Sequence, residues 1–506
     1  MPDRWQTYPF QFKGGLITNL SPYQQGTQAP GSARILRNFE PSVFGGYRRV
    51  EGYDKFDSNA LPNTGNVRGI VRYGGNVYAA RGNDLFRSSG SGWTQITDNA
   101  SFSSAGVSLG GTSRIRFLKY DFDGTEKLMV VDGTGKPFRF DGTTFSQLSS
   151  LPSDTSGASH VVNFKNHVFL GKGTNLIFSA PYEDDDFTAA SGGGIINVAD
   201  TITGLVVFRD QLIIFSETSI NRIAGSSIAD FQLQSVSQDL GCVAEDTIQE
   251  IGGDIMFLGP DGLRLFSATD RIGDFSLAVI SKPIQTEVTD LISSSTEFSS
   301  TVIREKSQYR LFGFNATYTN SAAKGIAGTQ LQEGFSWNDL RGFNVVVTHS
   351  EYDGFAERIY FAAKDGYVYQ MEQGNTQDGT NIVATFATPF VPLGDSEVRK
   401  TIYKGTTYLD VNGEFDLEFS LKFDFDQPNS PQPDSILSSD AGVSTTFGSG
   451  IYGTTLLGTK QKAIFEVPTI GSGFTVSILY ETTGTNTDAV FTVDAATLEF
   501  ATYGRR

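Results

Sequence analysis

The stretches FRSSGSGWTQI (Phe86–Ile96) and FRFDGTTFSQL (Phe138–Leu148) share one pattern, in which Phe-Arg is followed by a glycine turn, an aromatic residue and a Gln-aliphatic pair. A repeated pattern of strand, turn and strand is typical of an architecture built from copies of one supersecondary unit. We therefore expect each stretch to form the third strand, the turn and the outer strand of such a unit. Trp93 and Phe145 are expected to fill the interface with the next unit.

Similar units recur along the chain, each with short apolar runs separated by turns that contain Gly, Asn or Asp. These residues supply the positive φ that tight hairpins need. The first strands of the units are expected to begin near residues 67, 115, 160, 203, 247, 300 and 345. A period of about 40–50 residues is typical of a β-propeller, in which sheets that cannot bury both faces alone stack around an axis. The pattern predicts five to seven blades, with a long meander or two sandwiches as the alternative.

The composition supports an all-β protein of at least two domains. The 506 residues include 56 Gly, 40 Phe and 19 Tyr but only 4 Met, and single cores stop growing near roughly 250–300 residues. From about residue 390 onwards, apolar and polar residues alternate, as in strands with one buried face. We expect an N-terminal basic arm over residues 1–55, a propeller over residues 56–388 and a C-terminal β-sandwich over residues 389–506. One short helix, Ser281–Ser295, is expected to cover a blade edge.

The charge is uneven along the chain. The whole chain carries −17, whereas residues 1–55 hold seven Lys or Arg against four Asp or Glu, a net of +3. Such an acidic protein is a poor candidate for tight nucleic-acid binding. A basic arm on an acidic body suggests docking on protein, either on its own propeller or on a neighbouring subunit or adaptor ring. The candidate contact residues are Arg34, Arg37, Arg48, Arg49, Arg505 and Arg506.

Patterns for catalysis, cofactors and metals are weak. The three histidines (His160, His167 and His349) have no readable Ser or Cys partner, and the acidic clusters lack the spacing of a calcium loop. The Gly-rich runs lack the lysine of a phosphate-binding loop. The start has no signal-peptide pattern, and no apolar run reaches the length of a membrane helix. We expect no catalytic residue, no cofactor, no metal site and no membrane span.

Three segments carry a family resemblance. The opening GGLITNLSPYQQG…GSARILRNFEPSVFGGYRRVEGY (Gly14–Tyr53), the central DLGCVAEDTIQEIGGDIMFLGPDGLRLFS (Asp239–Ser267) and the terminal ATLEFATYGRR (Ala496–Arg506) resemble parts of bacteriophage tail nozzle proteins. These are also called tail tubular or DNA-stabilisation proteins of short-tailed phages. RKTIYKGTTYLDV and LKFDFD are similar to the C-terminal sandwich of that family.

The resemblance implies a structural virion protein that is assembled in the host cytoplasm. Six copies would form the nozzle ring of the tail below the portal and adaptor, with tail fibre or tip proteins as further partners. Viral DNA would pass through the ring during ejection without sequence-specific binding, and acidic groups facing the bore would repel its phosphates.

Two other functions stay open at this stage, because propellers also serve as binding modules and enzymes. A propeller that binds a receptor or glycan would need exposed aromatic residues, but the chain has only three Trp. A glycoside hydrolase would need a pair of catalytic carboxylates or a tyrosine nucleophile. SSGSGWT (Ser88–Thr94) has only part of the repeat found in sialidases, so we expect no enzymatic activity.

Overall fold

The computed structural model describes residues 5–152, 156–225, 227, 229–268, 279–319, 322–411, 415–426, 436–440, 444–445, 456–457, 461–482 and 490–505. Strands dominate these residues, as the composition predicts. The short elements of the N-terminal segment are β1 (Gln6–Gln11), α1 (Pro22–Gln28), β2 (Ile35–Arg37), β3 (Phe39–Pro41), β4 (Tyr47–Arg49) and β5 (Tyr53–Lys55).

The next elements form a β-propeller of antiparallel sheets, each with its strands in chain order. The first two blades and the helix between them are β6 (Val67–Tyr73), β7 (Asn76–Arg81), β8 (Asp84–Ser88), β9 (Thr94–Gln95), α2 (Ala100–Ser104), β10 (Arg116–Tyr120), β11 (Lys127–Val131), β12 (Phe138–Phe140) and β13 (Phe145–Gln147). The third and fourth are β14 (His160–Phe164), β15 (His167–Lys172), β16 (Asn175–Phe178), β17 (Gly194–Asn197), β18 (Ile202–Phe208), β19 (Gln211–Ser216), β20 (Ile220–Ala224) and β21 (Gln232–Ser237). The fifth has three strands, β22 (Gln249–Ile251), β23 (Asp254–Gly259) and β24 (Gly262–Leu265).

The ring is completed by strands that also contact the rest of the chain. The elements that follow the fifth blade are α3 (Gln285–Ser294), β25 (Glu297–Ile303), β26 (Gln308–Phe314), β27 (Lys324–Leu331), β28 (Gly334–Arg341), β29 (Val345–Asp353), β30 (Ala356–Ala363), β31 (Val368–Met371), β32 (Thr376–Gln377) and β33 (Thr380–Asn381). Six sheets are blades of their own, the last being β29–β31 with β5, β32 and β33. The strands β25–β28 stand between the fifth and sixth of these sheets as part of a larger sheet.

Successive inner strands contact one another around the axis, except that β18 contacts the 3₁₀ turn Glu245–Thr247 ahead of β22, and β29 of the last blade contacts β6 of the first. The observed inner strands begin at residues 67, 116, 160, 202, 249, 297 and 345, close to the predicted starts. The N-terminal strand β5 closes the ring, because Tyr53 pairs with Met371 and Lys55 with Tyr369 at the edge of the last blade. The fold is therefore a propeller, and the meander and the two-sandwich alternative are wrong.

The first hairpin of several blades turns on two consecutive residues with positive φ, as the Gly and Asn content of these turns predicts. Gly74 and Gly75 have φ of 53° and 81°, and Lys165 and Asn166 have φ of 51° and 62°. Two such residues define the type I′ turn, whose twist matches that of the flanking strands. The same arrangement occurs at Arg209 and Asp210 and at Gly252 and Gly253.

The two repeated stretches form the third and fourth strands of the first two blades, as predicted, but their aromatic residues face the other way. Phe145 packs in one cluster with Tyr73 and Tyr78 of the preceding blade. Trp93 lies against the cluster that contains Tyr360 of the last blade, which precedes it in the ring. The prediction that both fill the interface with the next blade is therefore wrong in direction, because strand-turn patterns carry no information on which face of a twisted sheet meets which neighbour.

The predicted helix is present as a short 3₁₀ turn, Lys282–Ile284, followed by α3. Ile284, Val288 and Leu291 are buried, as the apolar spacing indicates. The helix contacts β24, β26 and β27, so it covers the junction between the fifth blade and the sheet that contains β25–β28. None of the helices that the structure describes is long and apolar enough to cross a membrane.

The C-terminal region is a sandwich of two large sheets that also contains strands from the N-terminal segment. Its remaining strands are β34 (Thr385–Ala387), β35 (Val398–Val411), β36 (Phe415–Phe423), β37 (Ile436–Asp440), β38 (Ser444–Thr445), β39 (Leu456–Leu457), β40 (Gln461–Gly473), β41 (Val476–Thr482) and β42 (Phe491–Arg505). One sheet has the order β3-β4-β42-β35-β40, with β1 also paired to β42. The other has the order β25-β26-β27-β28-β2-β34-β41-β36-β37, so a propeller sheet and the sandwich are continuous through β2 and β34.

Aromatic side chains fill the space between these two sheets. The rings of Phe386 and Tyr480 stack at 4.6 Å, and Phe12 of the N-terminal segment meets Phe386 edge-on at 5.2 Å. Tyr47 of β4 and Phe419 of β36 are buried in the same cluster. The N-terminal segment is thus part of the sandwich core. The predicted boundaries at residues 55 and 388 stay predictions, and strand pairing crosses both of them.

Candidate interaction site

The predicted contact residues are four arginines of the N-terminal segment together with Arg505 and Arg506. The structure gives Arg34, Arg37, Arg48 and Arg49 partners within the chain. Arg34 lies 4.9 Å from the ring centre of Phe390 and 3.6 Å from the carboxylate of Asp426. Arg37 lies 3.2 Å from a carboxylate oxygen of Asp339, and about half of its side chain is exposed. The body of the protein itself therefore binds these two arginines.

Arg48 and Arg49 differ in burial. Arg48 forms an ion pair with Glu51 and is partly exposed. Arg49 is buried, and its guanidinium donates a hydrogen bond to the carbonyl of Asn375, 3.1 Å away. The backbone of Arg505 is the last part of β42, and Arg506 lies outside the described residues. Contacts of these six arginines with a neighbouring subunit or an adaptor stay predictions.

A buried group of charges joins the N-terminal segment to the propeller; we call it the junction cluster. Its members are three carboxylates and three cations: Glu40, Glu51, Glu372, Arg48, Lys306 and Arg310. Glu40 lies 2.8 Å from the amine of Lys306 and 3.1 Å from the guanidinium of Arg310. Arg310 is fully buried and also lies 2.8 Å from Glu372. Because Glu40, Arg310 and Glu372 come from β3, β26 and the end of β31, the cluster connects three separate elements.

Burial and pairing act in opposite directions on the carboxyl groups of the junction cluster. Burial alone would raise the pKa of Glu40 and of Glu372, but Lys306 and Arg310 lower both values below the ordinary one. For Glu51 burial prevails and, together with the nearby Glu372 carboxylate, raises the pKa. The same carboxylates hold the pKa of Lys306 above its ordinary value despite burial. The cluster is thus a set of mutually stabilised charges.

A second set of charges crosses the propeller axis; we call it the axial network. Its members lie on or beside the inner strands: Arg72, Arg114, Arg116, Lys119, His160, Glu245, Asp246, Glu297, His349, Glu351 and Asp353. Arg116 of the second blade pairs with Glu245, which precedes the fifth blade on the opposite side of the ring. Arg114 likewise lies 2.9 Å from Glu297 of β25. Ion pairs therefore span the centre of the propeller.

Histidines take part in the axial network. The Nδ1 atom of His160 lies 2.6 Å from the carboxylate of Glu245. Burial alone would raise the pKa of Glu245, but Arg116 and His160 lower it below the ordinary value. His349 lies 3.2 Å from Glu351, and hydrogen bonds from His349 and from Lys119 lower the pKa of Glu351 to about 2 against the effect of burial. These two histidines have structural contacts that explain their positions.

The acidic turn around Glu183–Asp186 serves to join two blades. Asp184 pairs with Arg139 and lies 3.3 Å from the amine of Lys127, both on the second blade. The hydroxyl of Tyr120 donates a hydrogen bond to the same carboxylate at 2.9 Å. Among the described residues, no three His, Cys, Asp or Glu side chains form a group that could hold a metal ion.

Two apolar hairpin tips are exposed. Phe44, with Val43 beside it, forms the tip between β3 and β4, and Phe355 forms the tip between β29 and β30. Both phenylalanines are fully exposed. Single exposed apolar side chains are common on protein surfaces, so exposure by itself assigns no contact to these two tips. The sequence analysis did not single out either residue, although a phenylalanine next to glycine inside a predicted turn is a readable signal.

The charged networks were also missed, and their signals differ. Arg114 and Arg116 are two residues apart before and within an inner strand, so they share one face, and this alternation was readable. Arg310 stands in the otherwise largely apolar strand β26, which marks a buried charge that needs a partner. Its partner Glu40 lies 270 residues away in the sequence. Nothing in the sequence alone joins the two.

Similarity to known proteins is found in solved structures and in one family model. No curated protein sequence matches the chain significantly. Solved structures similar to it include the extracellular domain of the hybrid two component system BT4673 from B. thetaiotaomicron. The two are 11% identical, the alignment covers 70% of this chain and 42% of that chain, and the TM-score is 0.39. PorZ, from the type-IX secretion system of Porphyromonas gingivalis, has 12% identity, covers 67% of this chain and 43% of its own, and has a TM-score of 0.39.

An exo-beta-1,3-galactanase from Phanerochaete chrysosporium is similar at 10% identity over 89% of this chain and 100% of its own, with a TM-score of 0.26. The chain spans less than half the length of the first two structures, and at these scores none of the three carries an argument about activity. A family model does match: residues 40–264 fit the family described as Bacteriophage P22 Gp10, beta-propeller. The match runs from β3 through the first five blades. This match supports the resemblance of the sequence to the phage tail nozzle or DNA-stabilisation proteins.

Proposed function

We propose that this chain is a building block of the phage tail nozzle, a ring of six copies below the portal and adaptor through which viral DNA leaves the particle. The observation that carries the proposal is the family match over residues 40–264, which supports a structural protein of the virion. Other tail proteins are its partners in this proposal, and its role is mechanical and non-enzymatic.

The axial network supports a particular path for the DNA. Pairs such as Arg116 with Glu245 and Arg114 with Glu297 cross the axis of the propeller. A duplex could pass along that axis only if these pairs separated and the blades moved apart. We therefore propose that the conduit lies between copies of the chain, with the outer surface of each copy facing the DNA. The net charge of −17 per chain favours a surface that repels phosphates and lets DNA slide.

Electron microscopy of the phage particle tests this proposal. A virion labelled through an epitope inserted at an exposed turn of this chain should show the label at a ring in the tail, below the portal. The isolated chain mixed with the adaptor should give rings of six. A label on the capsid or on the fibres, or a chain that stays monomeric with the adaptor and is missing from the particle, would contradict the proposal.

A receptor-binding or glycan-binding propeller predicts a different result. Such a protein would bind host cells or a glycan array as an isolated chain, and labelled virions would show it at the distal tip. A glycoside hydrolase would release sugar from a substrate, and the substitution of a pair of carboxylates would abolish that release. Neither alternative gains a specific observation from the geometry.

A further inference from the structure

A cavity lined largely by residues with polar side chains lies where the N-terminal segment, the last blade and the sandwich meet. Its volume is about 490 Å³, within the range of small-molecule sites. The wall is formed by residues from β2, β5, the end of β28, β32, β33 and β34, and includes Arg37, Asn38, Arg341, Gln377, Val383 and Thr385. Neither the proposed nozzle role nor the family match assigns a function to this cavity.

Two arginines of this wall share one carboxylate oxygen. The Nε atom of Arg37 lies 3.2 Å from Oδ2 of Asp339, and the Nε atom of Arg341 lies 3.0 Å from the same oxygen. One carboxylate therefore faces two guanidinium groups, which leaves one positive charge in excess. In the part of the chain that the structure describes, the terminal nitrogens of both guanidiniums have no acceptor. These nitrogens are strong donors in a planar fork, the geometry that suits oxygen anions.

Hydrogen bonds hold the surrounding wall in place. The side-chain amide of Asn38 donates to the carbonyl of Val383 at 2.8 Å, and its oxygen accepts from the backbone of Arg341 at 2.9 Å. Gln377 donates to the carbonyl of Arg341 at 2.8 Å, so hydrogen bonds hold both the backbone N–H and the carbonyl of Arg341. A site whose donors are fixed before binding loses less conformational freedom when the ligand arrives.

Other charges near the cavity are few among the described residues. Glu481 accepts a hydrogen bond from Thr385 at 3.5 Å at the rim. Asp378, next to Gln377 in the β32–β33 turn, is paired with Lys55 at 2.7 Å. Glu287 of α3 also acts on Asp339, and together with burial it raises the pKa of that carboxyl against the effect of Arg341 and Arg37. Among the described residues, Asp339 is nevertheless the one carboxylate within ion-pair distance of the two arginines. On a chain of net charge −17, such a place attracts anions that the rest of the surface repels.

We propose that this cavity binds an oxyanion, a carboxylate or phosphate group, through the terminal nitrogens of Arg37 and Arg341. Asp339 positions both guanidiniums side by side, and the anion completes their hydrogen bonds. Because the wall combines strands from the N-terminal segment, the propeller and the sandwich, a bound anion would link all three. The inference is independent of ring formation, since every residue involved belongs to one chain.

Equilibrium dialysis of the full chain tests the proposal, with inorganic phosphate in one arm and glutarate in the other. We expect saturable binding of one equivalent per chain in at least one arm, and the tighter arm identifies phosphate or carboxylate as the preferred chemistry. Arg37→Gln is the first variant, because its side chain is half exposed and the fold tolerates it best. We expect binding to weaken at least about tenfold, since a charge-assisted hydrogen bond is lost.

Two further variants separate the site from general charge effects. Arg37→Lys keeps the charge but loses the planar fork, so binding should be intermediate between wild type and Arg37→Gln. Arg358→Gln removes a partly exposed arginine that faces Asp353 at 4.0 Å, away from the cavity, and should bind as wild type does. Absence of saturable binding in both arms, or equal affinities for wild type and Arg37→Gln, would overturn the proposal.

Discussion

The junction cluster and the axial network are both built from carboxylates and cations that come from different elements of the fold, but they differ in exposure to solvent. In the junction cluster, Arg310 is fully buried and Glu40 nearly so. In the axial network the exposed fractions are larger, 20% and 14% for Arg116 and Glu245 and 24% and 45% for Glu351 and Asp353. When a buried charge loses its partner, no water molecule can take the place of that partner, whereas an exposed charge is solvated by water. The junction should therefore be the more sensitive of the two to single substitutions.

The largest effect is expected from Arg310→Gln. The substitution leaves Glu40 and Glu372 buried with one cation fewer, and breaking a buried pair in this way costs about 3–5 kcal/mol. We expect a lower unfolding midpoint in urea, with early loss of hydrogen-exchange protection in β3 and β26.

The double variant Glu40→Gln with Arg310→Gln is the control for this effect. It removes one charge of each sign, so its cost should be smaller than the sum of the two single costs. Single variants that unfold at the wild-type midpoint would show that the junction cluster is not held together by these pairs.

A smaller effect is expected from Arg116→Gln at the axis. The variant separates β10 from Glu245 across the ring and should destabilise the propeller by about 1–3 kcal/mol, the range for hydrogen bonds to charged groups. Thermal unfolding measures it. Arg358→Gln, at a partly exposed pair of the same region, serves as the matched control and should change stability by no more than about 0.5 kcal/mol. Equal effects of the two variants would argue against a special role of the cross-axis pair.

The pH dependence of the melting temperature tests the contribution of Glu351, which lies in the more exposed part of the axial network. The pKa of Glu351 falls from its ordinary value of 4.5 to about 2 because His349 and Lys119 bind the ionised form. A carboxyl group with a depressed pKa stabilises the fold above its unfolded value and loses that contribution as the pH falls towards the folded value. The melting temperature should therefore drop between about pH 4.5 and pH 2, and Glu351→Gln should show a shallower drop over that window. Parallel curves for both proteins would exclude Glu351 as the cause.

The smallest effect on stability is expected at the hairpin tips. Phe44→Ser and Phe355→Ser remove fully exposed side chains. Each should change the free energy of unfolding by no more than about 0.5 kcal/mol. If the tips contact other proteins in the tail, light scattering should show weaker assembly for these variants. Ile195→Ser, at an exposed position on a blade, is the control and should assemble normally. Normal assembly of both tip variants would remove the tips from the interface.

The repeated hairpins could be predicted from the sequence because their information is local. The turn residues Gly74 and Gly75 take the positive φ that their type favours, and the helix near Leu291 follows its apolar spacing. The composite sandwich could not be predicted in the same way. Tyr53 closes the last blade through Met371, and β2 lies between two strands from distant parts of the chain. Pairing at such distance depends on the assembled shape, which has no local pattern.

In the candidate site, too, the local features could be predicted from the sequence and the long-range contacts could not. The arginines of the N-terminal segment were visible as a local excess of charge, but their partners were not. Asp339 and Asp426 lie far along the chain from Arg37 and Arg34. Arg114 and Arg116 lie two residues apart, before and within β10, but only the closed ring brings Glu297 to Arg114 and Glu245 to Arg116. The local charge pattern therefore identified residues that form ion pairs, but it did not identify their partners.

The pairing of β1 with β42 joins two strands that lie far apart in the sequence. The register places Gln6 opposite Phe500, so β1 stays without this partner until β42 has been synthesised. A chain truncated before β42 would leave β1 unpaired in this register and would open one side of the aromatic core of the sandwich to water. The packing of the N-terminal segment therefore depends on a strand at the far end of the sandwich.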